Sequence, residues 1–73
     1  MDESRTILEA QKGNLSAFNQ LVMAYQSTAY NVAYRVTGNS DAAADACQDA
    51  FLKAYRSISQ YQGGSFKSWL LRI

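Results

Sequence analysis

The side chains best equipped for chemistry are three aspartates at four-residue steps, Asp41, Asp45 and Asp49, with a lone cysteine, Cys47, among them. Stacked carboxylates hold divalent cations or move protons when further ligands or an enclosing pocket join them. Carboxylate metal sites in helical bundles add Glu-x-x-His motifs from several helices, and this chain has no histidine. One helix face gives no enclosure either, so the expectation is no metal, no cofactor and no enzyme. Cys47 has no second cysteine, base or electropositive setting to activate it, and reads as a small buried hydrophobe. Gly63-Gly64-Ser65 invites comparison with an anion-binding turn, yet it matches neither a P-loop nor a dinucleotide fingerprint and reads as a flexible connector.

The remaining chemistry is electrostatic. All six acids lie in residues 1–49, where Arg5, Lys12 and Arg35 leave a net charge of −3. Residues 50–73 carry Lys53, Arg56, Lys67 and Arg72 without an acid, a net +4, interleaved with Phe51, Tyr55, Tyr61, Phe66 and Trp69. Cations meet phosphates and rings offer stacking faces, so a basic aromatic segment suits a strand of nucleic acid. Phe66 and Trp69 fall at core spacing, whereas Lys67 and Arg72 are expected to point outward and meet phosphate. Four cations support only modest, salt-sensitive binding.

Four helical segments, separated by glycines, must position these groups. The first is expected from about Ser4, its N-cap, to Lys12, stopped by Gly13. The second starts after Asn14 and runs to about Thr37, with Phe18, Val22, Tyr25, Ala29, Val32, Ala33 and Val36 on the helical period and roughly 33–36 Å of length. Met23, Tyr30 and Tyr34 form a second stripe, which predicts neighbours on two sides. Gly38 supplies a left-handed stop, Asn39 or Ser40 caps the third helix, and Asp41 favours its N-terminal dipole. That helix is expected to reach about Tyr61 on a core stripe of Ala43, Cys47, Ala50, Phe51, Ala54 and Ile58. Ser65 caps a final segment that buries Phe66, Trp69, Leu70 and Ile73. The fold class is all-α, a small antiparallel bundle of three to four helices.

Opposite its core, the third helix carries Asp45, Gln48, Asp49, Leu52 and Arg56, with Tyr55 at the edge. A solvated face with an Asp49–Lys53 pair is the plain reading. Two details oppose it: three like charges stack without a cation, and Leu52 is a large apolar group on a polar face, as at a protein contact.

At 73 residues the chain is one domain near the lower size limit for a self-sufficient core. It has no apolar run that spans a membrane and no signal-peptide core at its start, and its single cysteine suits a reducing compartment, so a cytoplasmic location is expected. Residues 65–73 read as the opening of an amphipathic helix without a C-cap, which predicts a piece of a longer protein.

A family resemblance emerges from three stretches. Asp45-Ala-Cys-Gln-Asp-Ala-Phe-Leu-Lys-Ala-Tyr-Arg-Ser-Ile58 resembles the D-x-x-Q-[ED]-x-F-[LI]-[KR]-[AL]-[YWF] pattern of bacterial extracytoplasmic-function (ECF) sigma factors. Tyr61-Gln-Gly-Gly-Ser-Phe-Lys-Ser-Trp-Leu-Leu-Arg-Ile73 is similar to their F-x-G-x-S-F-x-x-W-L-x-x-I segment, and Gly13-Asn-Leu-Ser-Ala-Phe-Asn-Gln-Leu21 to their G-[DN]-x-x-A-F-x-x-L opening. Ala44, where the family commonly has Glu, and Ala46 and Cys47, where it has larger aliphatics, are departures. The resemblance implies region 2 of a sigma factor, residues 1–73, truncated at its C-terminal end. Such a domain docks on the β′ clamp helices of core RNA polymerase and helps to recognise and melt the −10 promoter element. Asp45, Gln48, Asp49, Leu52 and Tyr55 match the polymerase-contacting positions, and Tyr61, Ser65, Lys67 and Arg72 are the candidates for DNA contact. An anti-sigma factor is a further candidate partner, and a homodimer covering Trp69 and Leu70 another. The alternative from a different class is a helical interaction or dimerisation module without DNA function.

Overall fold

A computed structural model describes all residues, Met1–Ile73, as four α-helices and one 3₁₀ turn. These are α1 (Glu3–Gln11), α2 (Leu15–Thr37), α3 (Ser40–Ser57), the turn Ile58–Gln60, and α4 (Phe66–Leu71). Local side chains define the ends. Asn14, Asn39 and Ser65 each accept a hydrogen bond from the backbone N–H three residues on, at Ala17, Ala42 and Ser68, satisfying donors that the first turn leaves open. Gly38, at φ 65°, closes α2 in the left-handed conformation, and its N–H donates to the Tyr34 carbonyl. That two-residue break turns α3 back along α2.

The first helix begins earlier than its sequence suggests: Asp2, not Ser4, is the N-cap, and its carboxylate accepts from the Arg5 N–H. The third helix ends sooner, at Ser57, where the chain tightens into the 3₁₀ turn rather than running on to Tyr61. The molecule measures 35 × 22 × 21 Å overall, and α2, 23 residues long, sets its long dimension. A rise of about 1.5 Å per residue accounts for that axis with α2 alone.

The core lies at one end of the α2–α3 hairpin, where α1 and α4 cross it. Ile7 and Ala10 of α1 meet Ala17, Phe18 and Leu21 of α2, Ala54 and Ile58 beyond them, and Phe66 and Leu70 of α4. Ala43 and Ala54 have no exposed surface; side chains this small let α2 and α3 approach closely. Leu21, absent from the sequence-derived stripe, is 1% exposed, whereas Val36, on that stripe, is 83% exposed. The buried positions of α2 stop at Ala29 because the short α1 and α4 do not reach its last two turns. Ile73 is likewise exposed rather than buried. Leu70 is fully enclosed, so the ground for a homodimer through an uncovered Leu70 falls away; Trp69 is half-buried against Tyr61 and Phe66.

Two long-range polar ties, neither visible as a sequence pattern, fasten α1. Tyr25 donates its hydroxyl proton to the Glu3 carboxylate. The Gln11 amide donates to the carbonyls of Ile58 and Tyr61, 2.9 Å each, across 47 and 50 residues of chain.

Candidate functional site

Between α2 and α3 runs an open groove of about 1470 Å³. One wall is α2, through Leu15, Asn19, Val22, Gln26 and Tyr30; the other is α3, through Ala44, Gln48, Phe51, Leu52 and Tyr55. Phe18 and Tyr55 meet edge-on at 5.1 Å and tie the walls together. None of the lining residues is charged. Its polarity comes from amides and hydroxyls at the sides, while its floor is apolar.

Helical geometry places the aspartates just outside. One step further round α3 from Gln48 and Leu52, the side chains of Asp41, Asp45 and Asp49 form an exposed ridge. The Asp49–Lys53 pair expected from the i, i+4 spacing does not form, since Glu9–Lys12, at 3.6 Å, is the molecule's one ion pair. The ridge carboxylates therefore have no cationic partner within the molecule. They do not converge with other ligands: no three Asp, Glu, Cys or His side chains lie close enough to hold a metal ion.

Of the five candidate polymerase-contacting residues, the structure brings Gln48, Leu52 and Tyr55 together on the groove and sets Asp45 and Asp49 on the ridge beside it. Leu52 stands at the boundary, 54% exposed. Cys47 departs from its expected burial: it is half-buried in the groove wall, with Sγ 3.8 Å from the Gln26 carbonyl. Partial burial pushes its thiol upward from the ordinary range, which disfavours the reactive thiolate. The two neighbours expected from the second stripe of α2 are present, α1 and α3, although the stripe itself is mostly exposed. Met23 and Tyr34 face solvent, and Tyr30 stacks on Tyr34 at the edge of the groove.

The four candidate DNA-contacting residues sit apart from the groove, around α4. Tyr61 packs edge-on against Phe66 and Trp69, both at 5.5 Å, and its hydroxyl donates to the Gly64 carbonyl. Ser65 is committed to capping α4. Lys67 is exposed; Arg72 is exposed as well, with Nε donating to the Ser68 carbonyl at 3.2 Å. Two cations thus face solvent beside a loop that Gly63 and Gly64, at φ 105° and 82°, bend in a way side chains resist.

Sequence reasoning missed the α2 wall. The available signal was the spacing of Leu15, Phe18 and Val22 at i, i+3 and i+7, which puts all three on the groove.

Known proteins match this chain throughout these elements. The profile described as Sigma-70 region 2 matches residues 21–73. The ECF RNA polymerase sigma factor SigE of Mycolicibacterium smegmatis is 37% identical over 59 residues, covering 81% of this chain and 23% of that protein. For the ECF RNA polymerase sigma factor SigW of Bacillus subtilis, identity is 36% over 70 residues, 94% of this chain and 37% of the relative. The ECF RNA polymerase sigma-E factor of Escherichia coli K12 is 42% identical over 64 residues, 86% of this chain and 33% of its own length. This chain therefore spans only about a quarter to two fifths of these relatives. No solved structure matches it. No helix is long and apolar enough to cross a membrane. With the family profile covering nearly all of the α2–α3 hairpin and the whole of α4, the chain belongs to the Sigma-70 region 2 family.

Proposed function

We propose that residues 1–73 form the region 2 domain of an ECF sigma factor that acts in transcription initiation in the bacterial cytoplasm. The ridge and groove of α3 seat the β′ clamp helices of core RNA polymerase. The segment from Tyr61 to Arg72 faces the −10 promoter element and contributes to strand opening. Asp45 and Asp49 present carboxylates to a basic flank of the partner, Gln48 and Tyr55 offer hydrogen bonds along the groove wall, and Leu52 is the apolar anchor. Lys67 and Arg72 neutralise phosphates, and Tyr61 and Ser65 fix the loop beside them.

One observation carries this reading: a half-uncovered leucine lies between an uncharged groove and a ridge of carboxylates that lack cationic partners. A solvated helix face has no use for either feature, whereas a partner helix with an apolar stripe and one basic flank satisfies both.

The test is calorimetric titration of the chain with a purified fragment carrying the β′ clamp helices. Saturable binding by the wild type is expected, weakened by Gln48→Ala and weakened about tenfold or more by Asp49→Lys, which cuts the net charge of the ridge from −3 to −1. A folded chain that does not bind, or an Asp49→Lys variant that binds like the wild type, refutes the assigned face.

A further inference from the structure

The exit of α3 is held by a side chain from the other end of the sequence. As α3 gives way to the 3₁₀ turn, its last carbonyls lose intrahelical partners. The Ile58 carbonyl accepts from the Tyr61 N–H at 3.1 Å and also from the Gln11 amide. The Tyr61 carbonyl accepts from the same amide. Gln11 therefore uses both amide protons, one on each carbonyl, and no residue lacking a two-proton donor at that reach reproduces the bridge.

The path of the chain beyond Tyr61 explains the importance of the bridge. The backbone leaves in extended conformation, passes two left-handed glycines, and enters α4 at the Ser65 cap. Glycines leave that backbone unusually free. Tyr61 is restrained by its ring on Phe66 and Trp69, by its hydroxyl on the Gly64 carbonyl, and by Gln11 on its own carbonyl. Its ring also packs against the shared core, and the Gln11 bond is the one hydrogen bond among these that reaches a distant element. At its other end α1 is tied to α2 by Glu3 and Tyr25, and between the two ties Ile7 and Ala10 are buried in the core. The first helix is thus a strap with one polar clasp on α2 and one on the start of the α3–α4 loop.

We propose that Gln11 is a positioning residue for nucleic-acid contact: by holding the Ile58 and Tyr61 carbonyls it fixes the Tyr61–Ser65 loop and the direction in which α4 presents Lys67 and Arg72. This rests on the DNA-facing reading of that segment given above. Gln11 itself lies in α1 and lines neither the groove nor the ridge, so its effect on DNA and its effect on polymerase separate.

The experiment compares wild type, Gln11→Leu and Gln11→Asn. Leucine keeps the side-chain bulk without donors; asparagine keeps the amide but falls one methylene short of the carbonyls. Three readouts are taken: hydrogen exchange of the Tyr61 amide, emission of Trp69, the chain's one tryptophan, and anisotropy of a labelled single-stranded DNA of about 12 nucleotides. Clamp-helix binding and far-ultraviolet circular dichroism are run alongside. Both variants are expected to exchange roughly tenfold faster at the Tyr61 N–H, the one amide of residues 61–65 with a backbone acceptor, as two lost hydrogen bonds allow. Both are expected to shift Trp69 emission and to bind the oligonucleotide several-fold more weakly, with helicity and clamp-helix binding as in the wild type. Unchanged loop exchange, or unchanged oligonucleotide affinity alongside a loosened loop, overturns the proposal while leaving the domain's function standing. A parallel loss of helicity and clamp-helix binding in both variants also overturns it, since Gln11 then serves the whole fold. Wild type that binds clamp helices but no oligonucleotide overturns the DNA reading and this proposal with it.

Discussion

Replacing Leu52 by alanine separates the docking surface from the fold. Fully burying a leucine side chain is worth about 1.5–3 kcal/mol, and Leu52 leaves 54% of its surface in water. Covering that remainder with a partner yields roughly 0.8–1.6 kcal/mol, most of which truncation forfeits. An affinity loss of about fivefold is therefore expected. Stability should fall only modestly, by about 1 kcal/mol, because less than half of the leucine is covered within the fold and alanine has equal or better helix propensity.

Calorimetry against the clamp-helix fragment at two ionic strengths is the assay, with thermal melts of the free variant as the control. The salt comparison matters: an apolar anchor loses the same factor at both, whereas the deficit caused by Asp49→Lys shrinks as salt screens it. A Leu52→Ala chain that binds within about twofold of the wild type refutes the anchor assignment. So does a variant whose melting temperature falls steeply, since Leu52 would then belong to the fold rather than to a partner.

Two further outcomes test the core and its polar tie. Leu21→Ala removes a fully enclosed side chain at a cost of about 2.7–5 kcal/mol, against roughly 4–11 kcal/mol expected for a domain of this size. Urea melts should show the variant close to unfolded at 37 °C, and a loss under about 1 kcal/mol would contradict the packing. The bond to the Glu3 carboxylate, with burial adding to it, lifts the Tyr25 hydroxyl from its ordinary value of 10.0 to about 12. Because the folded pKa exceeds the unfolded one, the stabilisation is complete below about pH 10 and fades as pH rises towards 12. Wild type should therefore lead Tyr25→Phe in urea melts at about pH 8 and lose that lead above about pH 12; a lead that persists would exclude the bond as its source.

Much of the fold is legible locally because the signals that set it are local. Asn14, Asn39 and Ser65 cap through bonds three residues long, and Gly38 needs only its own φ. Where two capping residues stand close together, as Asp2 and Ser4 do, local chemistry cannot choose between them; Asp2 reaches the Arg5 N–H and starts the helix at Glu3. Periodicity finds the core face of α2 but not its extent, and Val36 carries the right phase on a last turn that neither α1 nor α4 reaches and that α3 alone leaves uncovered. The end of α3 was illegible for a different reason. No breaker stands before Gly63, and the side chain that completes the early exit, Gln11, lies 47 residues away.

The same distinction governs the candidate site. Asp45, Gln48, Asp49, Leu52 and Tyr55 share one helix, so a single period brings them to one side and a family pattern can be matched along it. The groove needs a second helix at a definite rotation, which depends on how closely Ala43 and Ala54 let α2 approach. Leu15, Asn19 and Gln26 join the site only through that approach. Substituting Ala54 with leucine tests the dependence directly. Overpacking a position with no free surface should cost about 1–3 kcal/mol and force the helices apart. If the groove's shape carries docking, clamp-helix affinity falls in the fraction of Ala54→Leu molecules that remain folded, although every residue of the α3 face is intact. Full affinity in that folded fraction would mean that the α3 face suffices and that the α2 wall is incidental to binding.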